Sequence, residues 1–330
     1  MIRKTEFGTC AQGTVHAYTL ENSSGTSATV LTLGGILQAF TMNGTDVVLG
    51  YDTLEEYLTN TGYFGALIGR VAGRIDGAEL TINGVSYPLS ANRGRNQIHG
   101  GFEGFDKKLW DAEVSGDKLI LRLFSPDGQE GFPGNLDVKV TYTLTQDNAL
   151  VIDYTASADK DTAVNMTNHA YFNLNGTGDV LNHTLWLDAD AYTPTNAEGI
   201  PSGEIAAVAG TALDFTAPET LGSRIANTTY GCYDDNFCLN GSGLRKVGQL
   251  TGTHLSMEVE TTAEGMQIYC ADFKAYRPGK SGAVYHGPCF VCMEAQGYPD
   301  AMHHPNFPSV LLPTGKEYRQ TTVYRLVNNP

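Results

Sequence analysis

Five polar segments between residues 65 and 301 carry the side chains that could move protons or hold a polar ligand. They read GALIGRVAGRI (65–75), NQIHGGFEGFDKKLW (96–110), TNHAYFNL (167–174), YDDNFCL (233–239) and MEAQGYPDA (293–301). Each sets a His, Asp, Glu or Arg among glycines and aromatics. Two of them supply an imidazole, His169, and a carboxylate, Glu294. Such a pair is what general acid–base chemistry needs, one group giving a proton while the other takes one.

If 164–173 is a strand, Asn165, Thr167, His169, Tyr171 and Asn173 share one face, because side chains alternate. That face fits a wet cleft lined with hydrogen-bonding groups, or an exposed sheet face with an idle His. Glu294 follows the apolar run Cys289-Phe290-Val291-Cys292-Met293, with Gln296 on its own side. A carboxylate there is paired, at a sheet rim, or functional. His99 lies in a loop whose Gly100-Gly101 lets backbone approach a ligand, or lets the loop turn at the surface. Arg70 and Arg74 each read equally as structural arginines held by carboxylates. Asp234 has a second carboxylate beside it, Asp235, and Gln267 reads as an exposed strand residue or a ligand contact. Cys289-x-x-Cys292 has zinc-like spacing but no second close cysteine pair, and its side chains diverge if the segment is extended. The His303-His304 doublet diverges likewise, so no metal site is expected.

The elements that must position these residues are strands. Leu136, Val138, Val140, Tyr142 and Leu144 alternate with Asp137, Lys139, Thr141, Thr143 and Thr145, the period of a half-buried strand. Leu255, Met257 and Val259 repeat the pattern. Asn83-Gly84 between 80–82 and 85–87 predicts a tight hairpin. Residues 28–33, 117–124, 149–156, 183–189 and 320–327 also read as strands. Helix is scarce; the clearest case is 53–58, where Thr53 and Glu56 match a capping box. Many strands without crossover helices predict an all-β fold, a large antiparallel β-sandwich with few short helices, over one domain of residues 1–330.

With 41% hydrophobic and 17% charged residues the chain is globular rather than disordered. Its formal charge of −15 repels phosphate backbones, which argues against nucleic acid and favours a neutral ligand. The N-terminal MIRKTEFGTC lacks the apolar stretch of a secretion signal, and no run is long enough for a membrane span. A cytoplasmic protein, a monomer or homodimer, is expected, with its six cysteines as free thiols.

Taken together, the five segments resemble the aldose 1-epimerases, the sugar mutarotases, over nearly the whole chain. The resemblance implies a single large β-sandwich with an open cleft on a concave sheet. It makes His169, in Asn-His-x-Tyr-Phe-Asn-Leu, the general acid, and Glu294, in Glu-x-Gln-x-x-Pro-Asp, the general base. It assigns Arg74, His99, Asp234 and Gln267 to sugar binding. Gly73 and Asp235 depart from the common pattern, which has Asn and His there. The implied reaction is interconversion of the α and β anomers of a free aldohexose, with no cofactor: O1 is deprotonated, O5 is protonated, the C1–C2 bond turns, and the ring recloses. His169 would need its acid form stabilised, as Asp234 could do, and Phe237 or Tyr298 could stack on the sugar. The alternatives are a carbohydrate-binding sandwich without turnover, or a glycoside-processing enzyme using Asp234 and Glu294 as opposed carboxylates. A sugar-phosphate relative is disfavoured by the acidic balance.

Overall fold

The computed structural model describes residues 1–59 and 62–330. The alternation at 136–144 is a strand, Leu136–Leu144, whose apolar members are all buried. It lies in a nine-stranded sheet with Lys118–Ser125, Ala149–Ala158, Glu317–Asn328 and Leu255–Thr261 among its members. A six-stranded sheet runs Tyr171–Phe172, Val291–Gln296, Gly265–Cys270, Tyr233–Cys238, Ala191–Thr193 and Ala206–Ala207 in spatial order. A five-stranded sheet holds the N-terminal strands from Ile2–Cys10 to Thr45–Asp46. Strand pairs in all three are antiparallel, as the lack of crossover helices predicts.

The nine-stranded and six-stranded sheets pack face to face, which is the expected sandwich. Phe172 and Tyr324 meet across the interface with ring centroids 5.0 Å apart. Tyr324 Oη donates to the Met293 carbonyl at 2.8 Å, and Gln320 Nε2 to the Ala295 carbonyl at 3.0 Å. Apolar side chains of all three sheets share one core, including Val30, Val140, Met257, Met293 and Tyr324. Each such side chain stabilises the fold by roughly 1.5–3 kcal/mol when fully buried.

Local signals hold where they rest on short-range chemistry. Asn83 and Gly84 take φ of 52° and 78°, the positive values a two-residue hairpin turn needs, between Glu79–Ile82 and Val85–Pro88. The helix is Leu54–Thr59, and Thr53 Oγ1 donates to Glu56 Oε2 at 2.7 Å in the expected box. All six cysteines are free thiols.

The segment 164–173 is not one strand. Thr167–Asn168 pairs with Leu67–Ile68, whereas Tyr171–Phe172 pairs with Val291 and Cys292. The chain changes partner at His169, whose N–H donates to the Ala66 carbonyl. Asparagine side chains make this change by bonding main chain. Asn165 exchanges two bonds with Gly297, Asn168 Nδ2 donates to the Gly65 carbonyl, and Asn173 Nδ2 to the Cys289 carbonyl. The polar face that looked like a cleft lining is therefore mostly internal bracing, and only His169 and Tyr171 of its five residues reach the cavity described next.

Candidate active site

The six-stranded sheet divides its side chains by alternation. In Val291–Gln296, Val291, Met293 and Ala295 enter the core, which leaves Cys292, Glu294 and Gln296 on the other face. The neighbouring strands are in register with this pattern: Gln267 lies opposite Glu294, Asn236 opposite Gln267, and Asp234 opposite Tyr269. Their outward side chains meet Arg74, in the short strand Arg74–Ile75, and His99, just past its partner strand Gln97–Ile98, around a cavity of about 320 Å³. All six residues expected at the site, His169, Glu294, Arg74, His99, Asp234 and Gln267, line it.

At its base His169 Nε2 stands 3.6 Å from Glu294 Oε1, with side chains 5% and 2% exposed. Glu294 lies mid-strand, so it is no rim carboxylate meeting water. Burial lowers the His169 pKa to about 4 and raises that of Glu294 well above the ordinary carboxylate range. The nearby negative charge of Asp234 pushes Glu294 further up. Asp234 was expected to stabilise the His169 cation. Its carboxylate instead accepts from Gln267 Nε2 at 2.8 Å and Arg74 Nη2 at 3.2 Å, and the carboxylate beside His169 is that of Glu294. The rings of Tyr63 and Tyr171 lie nearly parallel to His169, with centroids 5.6 and 5.0 Å away. Aromatic faces favour a cation, so they ease the protonated state that burial opposes.

His99 has a defined tautomer. The Gly73 N–H donates to His99 Nδ1 at 3.2 Å, which makes Nδ1 an acceptor and leaves the proton on Nε2. Burial, His169 and Arg74 all lower the His99 pKa, so its ring is a neutral donor. Asp300 fixes the chain at Arg74: its N–H donates to the Arg74 carbonyl, and its Oδ1 accepts from the Asp76 N–H at 2.9 Å. The His303-His304 doublet does not diverge. A single turn at Ala301–His303 brings both rings to Asp300, at 2.7 and 3.4 Å.

Arg70 is structural, as one of its two readings had it, but carbonyls rather than carboxylates hold it. Its guanidinium donates to the carbonyls of Ser125, Pro126 and Pro133 and to Ser125 Oγ, all within 3.0 Å. Asp235 does not line the cavity; burial raises its pKa to about 6. Phe237 and Tyr298 do not line it either. Phe237 points into the core, and Tyr298 packs on Phe307 with centroids 5.3 Å apart. The aromatic lining is Tyr63, Tyr171, Tyr269 and Phe273. Asn236 and Tyr269 escaped the sequence reading although each lies two residues from a named one, the spacing that marks a shared strand face. Arg93 and Arg277, also in the lining, left no such signal.

Several buried atoms here have no partner among the described residues: Glu294 Oε2, His169 Nδ1, Gln267 Oε1, Arg74 Nε, Asn236 Oδ1 and both polar atoms of Gln296. Each costs about 1–3 kcal/mol when left so, and a polyhydroxylated ligand would offer partners of both kinds. Among the described residues one trio of metal-capable donors, His169, Cys292 and Glu294, lies within 4.8 Å. No helix of the described chain is long and apolar enough to cross a membrane.

A family model described as aldose 1-epimerase matches residues 16–325. The galactose mutarotase of Bos taurus is 44% identical over 286 residues, 85% of this chain and 83% of that protein. The galactose mutarotase of Mus musculus is 41% identical over 98% of both chains, and an aldose 1-epimerase of Escherichia coli is 36% identical over 94% of both. Among solved structures, the galactose 1-epimerase of Lactobacillus acidophilus superposes with a TM-score of 0.89 at 27% identity, covering 100% of this chain and 99% of its own.

Proposed function

This chain belongs to the aldose 1-epimerase family of isomerases, and from that premise we propose that it interconverts the α and β anomers of free aldohexoses such as galactose and glucose. The observation that carries the reading is the buried His169–Glu294 pair, 3.6 Å apart at the base of a cavity lined with hydrogen-bonding groups. In the proposal Glu294 takes the proton from O1 while His169 gives one to O5. The ring opens, the C1–C2 bond turns, and closure on the other carbonyl face returns both protons. Arg74, His99, Asp234 and Gln267 hold the hydroxyls, and residues 1–330 act as one sugar-binding unit.

The location of the proton gives this route a physical logic. Burial disfavours charge on both partners, so the resting pair is a neutral imidazole with a neutral carboxyl, sharing one proton. Ring opening needs the other arrangement, imidazolium with carboxylate. Sugar hydroxyls donating to Glu294 would favour its ionised form, and a sugar hydroxyl or a water bridging the 3.6 Å gap, which is too long for a direct hydrogen bond, would relay the proton to His169. Once the ring is open, His169 has given its proton and Glu294 has gained one. The charge state that burial favours is therefore the one that accompanies the open-chain sugar, a high-energy species worth stabilising.

No step of this route draws on a metal or a redox group. A glycosidase reading would need Asp234 free to face Glu294 across the bond, yet Gln267 and Arg74 already hold its carboxylate. The test is polarimetry of freshly dissolved α-galactose and α-glucose with EDTA present. Acceleration over buffer supports the proposal, and release of sugar from a methyl glycoside would refute it.

A further inference from the structure

Most guanidiniums of this chain have a fixed partner. Arg74, Arg95, Arg122, Arg224, Arg319 and Arg325 meet carboxylates. Arg70 and Arg245 meet main-chain carbonyls. Among the described residues Arg3, Arg93 and Arg277 meet neither. With 36 acidic residues against 21 basic ones, carboxylates are not scarce. Two of the three exceptions line one cavity, the one that holds His169 and Glu294.

They reach it from separate elements. Arg93 sits in a turn closed by paired main-chain bonds with Asn96, and its positive charge bears on His99 and Tyr63. Arg277 rises from the strand Phe273–Pro278, its guanidinium 4.7 Å from the centre of the Phe273 ring, and its charge bears on the Tyr51 hydroxyl and on Tyr171. Both therefore act on the part of the cavity walled by Tyr63, His99 and Tyr171. Arg74, the third arginine there, is already matched by Asp234. A neutral sugar gives Arg93 and Arg277 no counter-charge.

We propose that Arg93 and Arg277 receive an anionic group borne by the aldose away from C1, the carboxylate of a hexuronate or the phosphate of a hexose 6-phosphate. This rests on the aldose 1-epimerase reading and narrows its substrate class. A guanidinium presents a planar fork of donors that matches either anion. The net charge of −15 does not forbid it. At physiological salt charges beyond about 8 Å are largely screened, whereas two guanidiniums in the wall act at contact. The overall acidity that disfavoured a phosphorylated sugar was a statement about the whole surface, and the cleft differs from it.

The experiment compares catalysed anomer exchange, by polarimetry and by NMR of the anomeric protons, for glucose, glucuronate and glucose 6-phosphate at low salt. One of the two anions should show a KM about tenfold below that of glucose, as one good charge-assisted pair would give. The preference should shrink as salt is added. In Arg93→Gln/Arg277→Gln the ratio of kcat/KM for that anion over glucose should fall about tenfold, with the change in KM rather than kcat. Which anion is preferred tells carboxylate from phosphate recognition. If glucose turns over and neither anion is favoured, or if the ratio is the same in the double variant, this inference is overturned while the mutarotase reading stands. If none of the three sugars turns over, the mutarotase reading fails and takes the inference with it.

Discussion

The two faces of the six-stranded sheet are made from the same strands, yet they differ in how their atoms are satisfied. On the core face Val291, Met293, Ala295, Met266, Ile268 and Phe237 are apolar and packed. On the cleft face, Glu294, Gln296, Gln267 and Asn236 keep polar atoms with no partner among the described residues. One face lowers the free energy of the fold, and the other raises it in exchange for a ready set of donors and acceptors. Stability and chemistry are separated by one residue along each strand.

The largest break in this contrast should come from the pair proposed to be catalytic. Glu294→Gln and His169→Asn should each lower kcat by about 10²-fold or more while the protein stays folded, measured by mutarotation rate beside thermal melting. Retention of near-normal kcat by Glu294→Gln would move the base to another residue.

The pH profile comes next. His169 takes a second proton for the pair only as pH falls through about 4, so kcat/KM should hold across neutral pH and drop below that point. The alkaline limb should appear where Glu294 loses its raised proton. Stability follows the same groups. His169 and His183 have folded pKa values near 4 against an unfolded 6.5, so the unfolded chain binds protons that the folded one refuses. These two rings therefore take stability away as pH is lowered from 6.5 towards 4, while Glu294, Asp106 and Asp235, whose pKa values burial raises, add stability as pH falls through part of the same window. The melting temperature of the unaltered protein relative to His183→Gln should fall as pH is lowered from 6.5 to 4, and a difference that stays constant would show that this ring is protonated as readily in the fold as in the unfolded chain.

A smaller effect is expected where the sugar is held rather than transformed. Asp234→Asn and Arg74→Ala should reduce kcat/KM about tenfold or more, with KM rising, because the Asp234 bridge to Arg74 and Gln267 is broken. The least effect on turnover should come from the core face. Met293→Ala should cost about 2–5 kcal/mol in stability by denaturant titration, yet kcat per folded molecule should change little. A large loss of kcat there would mean that the two faces are coupled.

Much of this was legible in the sequence. Strand periodicity marked Leu136–Leu144 and Leu255–Thr261, and a capping pair marked the helix, because those signals act between near neighbours. The polar motifs likewise named six of the residues that line the cavity. What was missed depended on contacts distant in sequence. The run around His169 alternates like one strand, but Asn165, Asn168 and Asn173 bind main chain from other elements, which no local pattern records. Phe237 and Tyr298 looked available for stacking because their side of the sheet was unknown. Arg93 and Arg277 are set apart by lining the cavity without a carboxylate partner among the described residues, which no local pattern records.

The register of the strands has a consequence for how such a site can be changed. Positions 234, 236, 267, 269, 294 and 296 form a lattice, spaced two residues along each strand and one strand apart, about 7 by 4.8 Å. Each node can be exchanged without disturbing the packed residues between nodes, so a new pattern of hydroxyls can be met by editing single addresses. Insertions are a different matter. One added residue in any of these strands would shift its whole row to the wrong side, sending a carboxylate into the core and a methionine into the cleft. Such a sheet accepts substitution readily and frame changes hardly at all, so variation in its ligand preference should be written in letters and not in length.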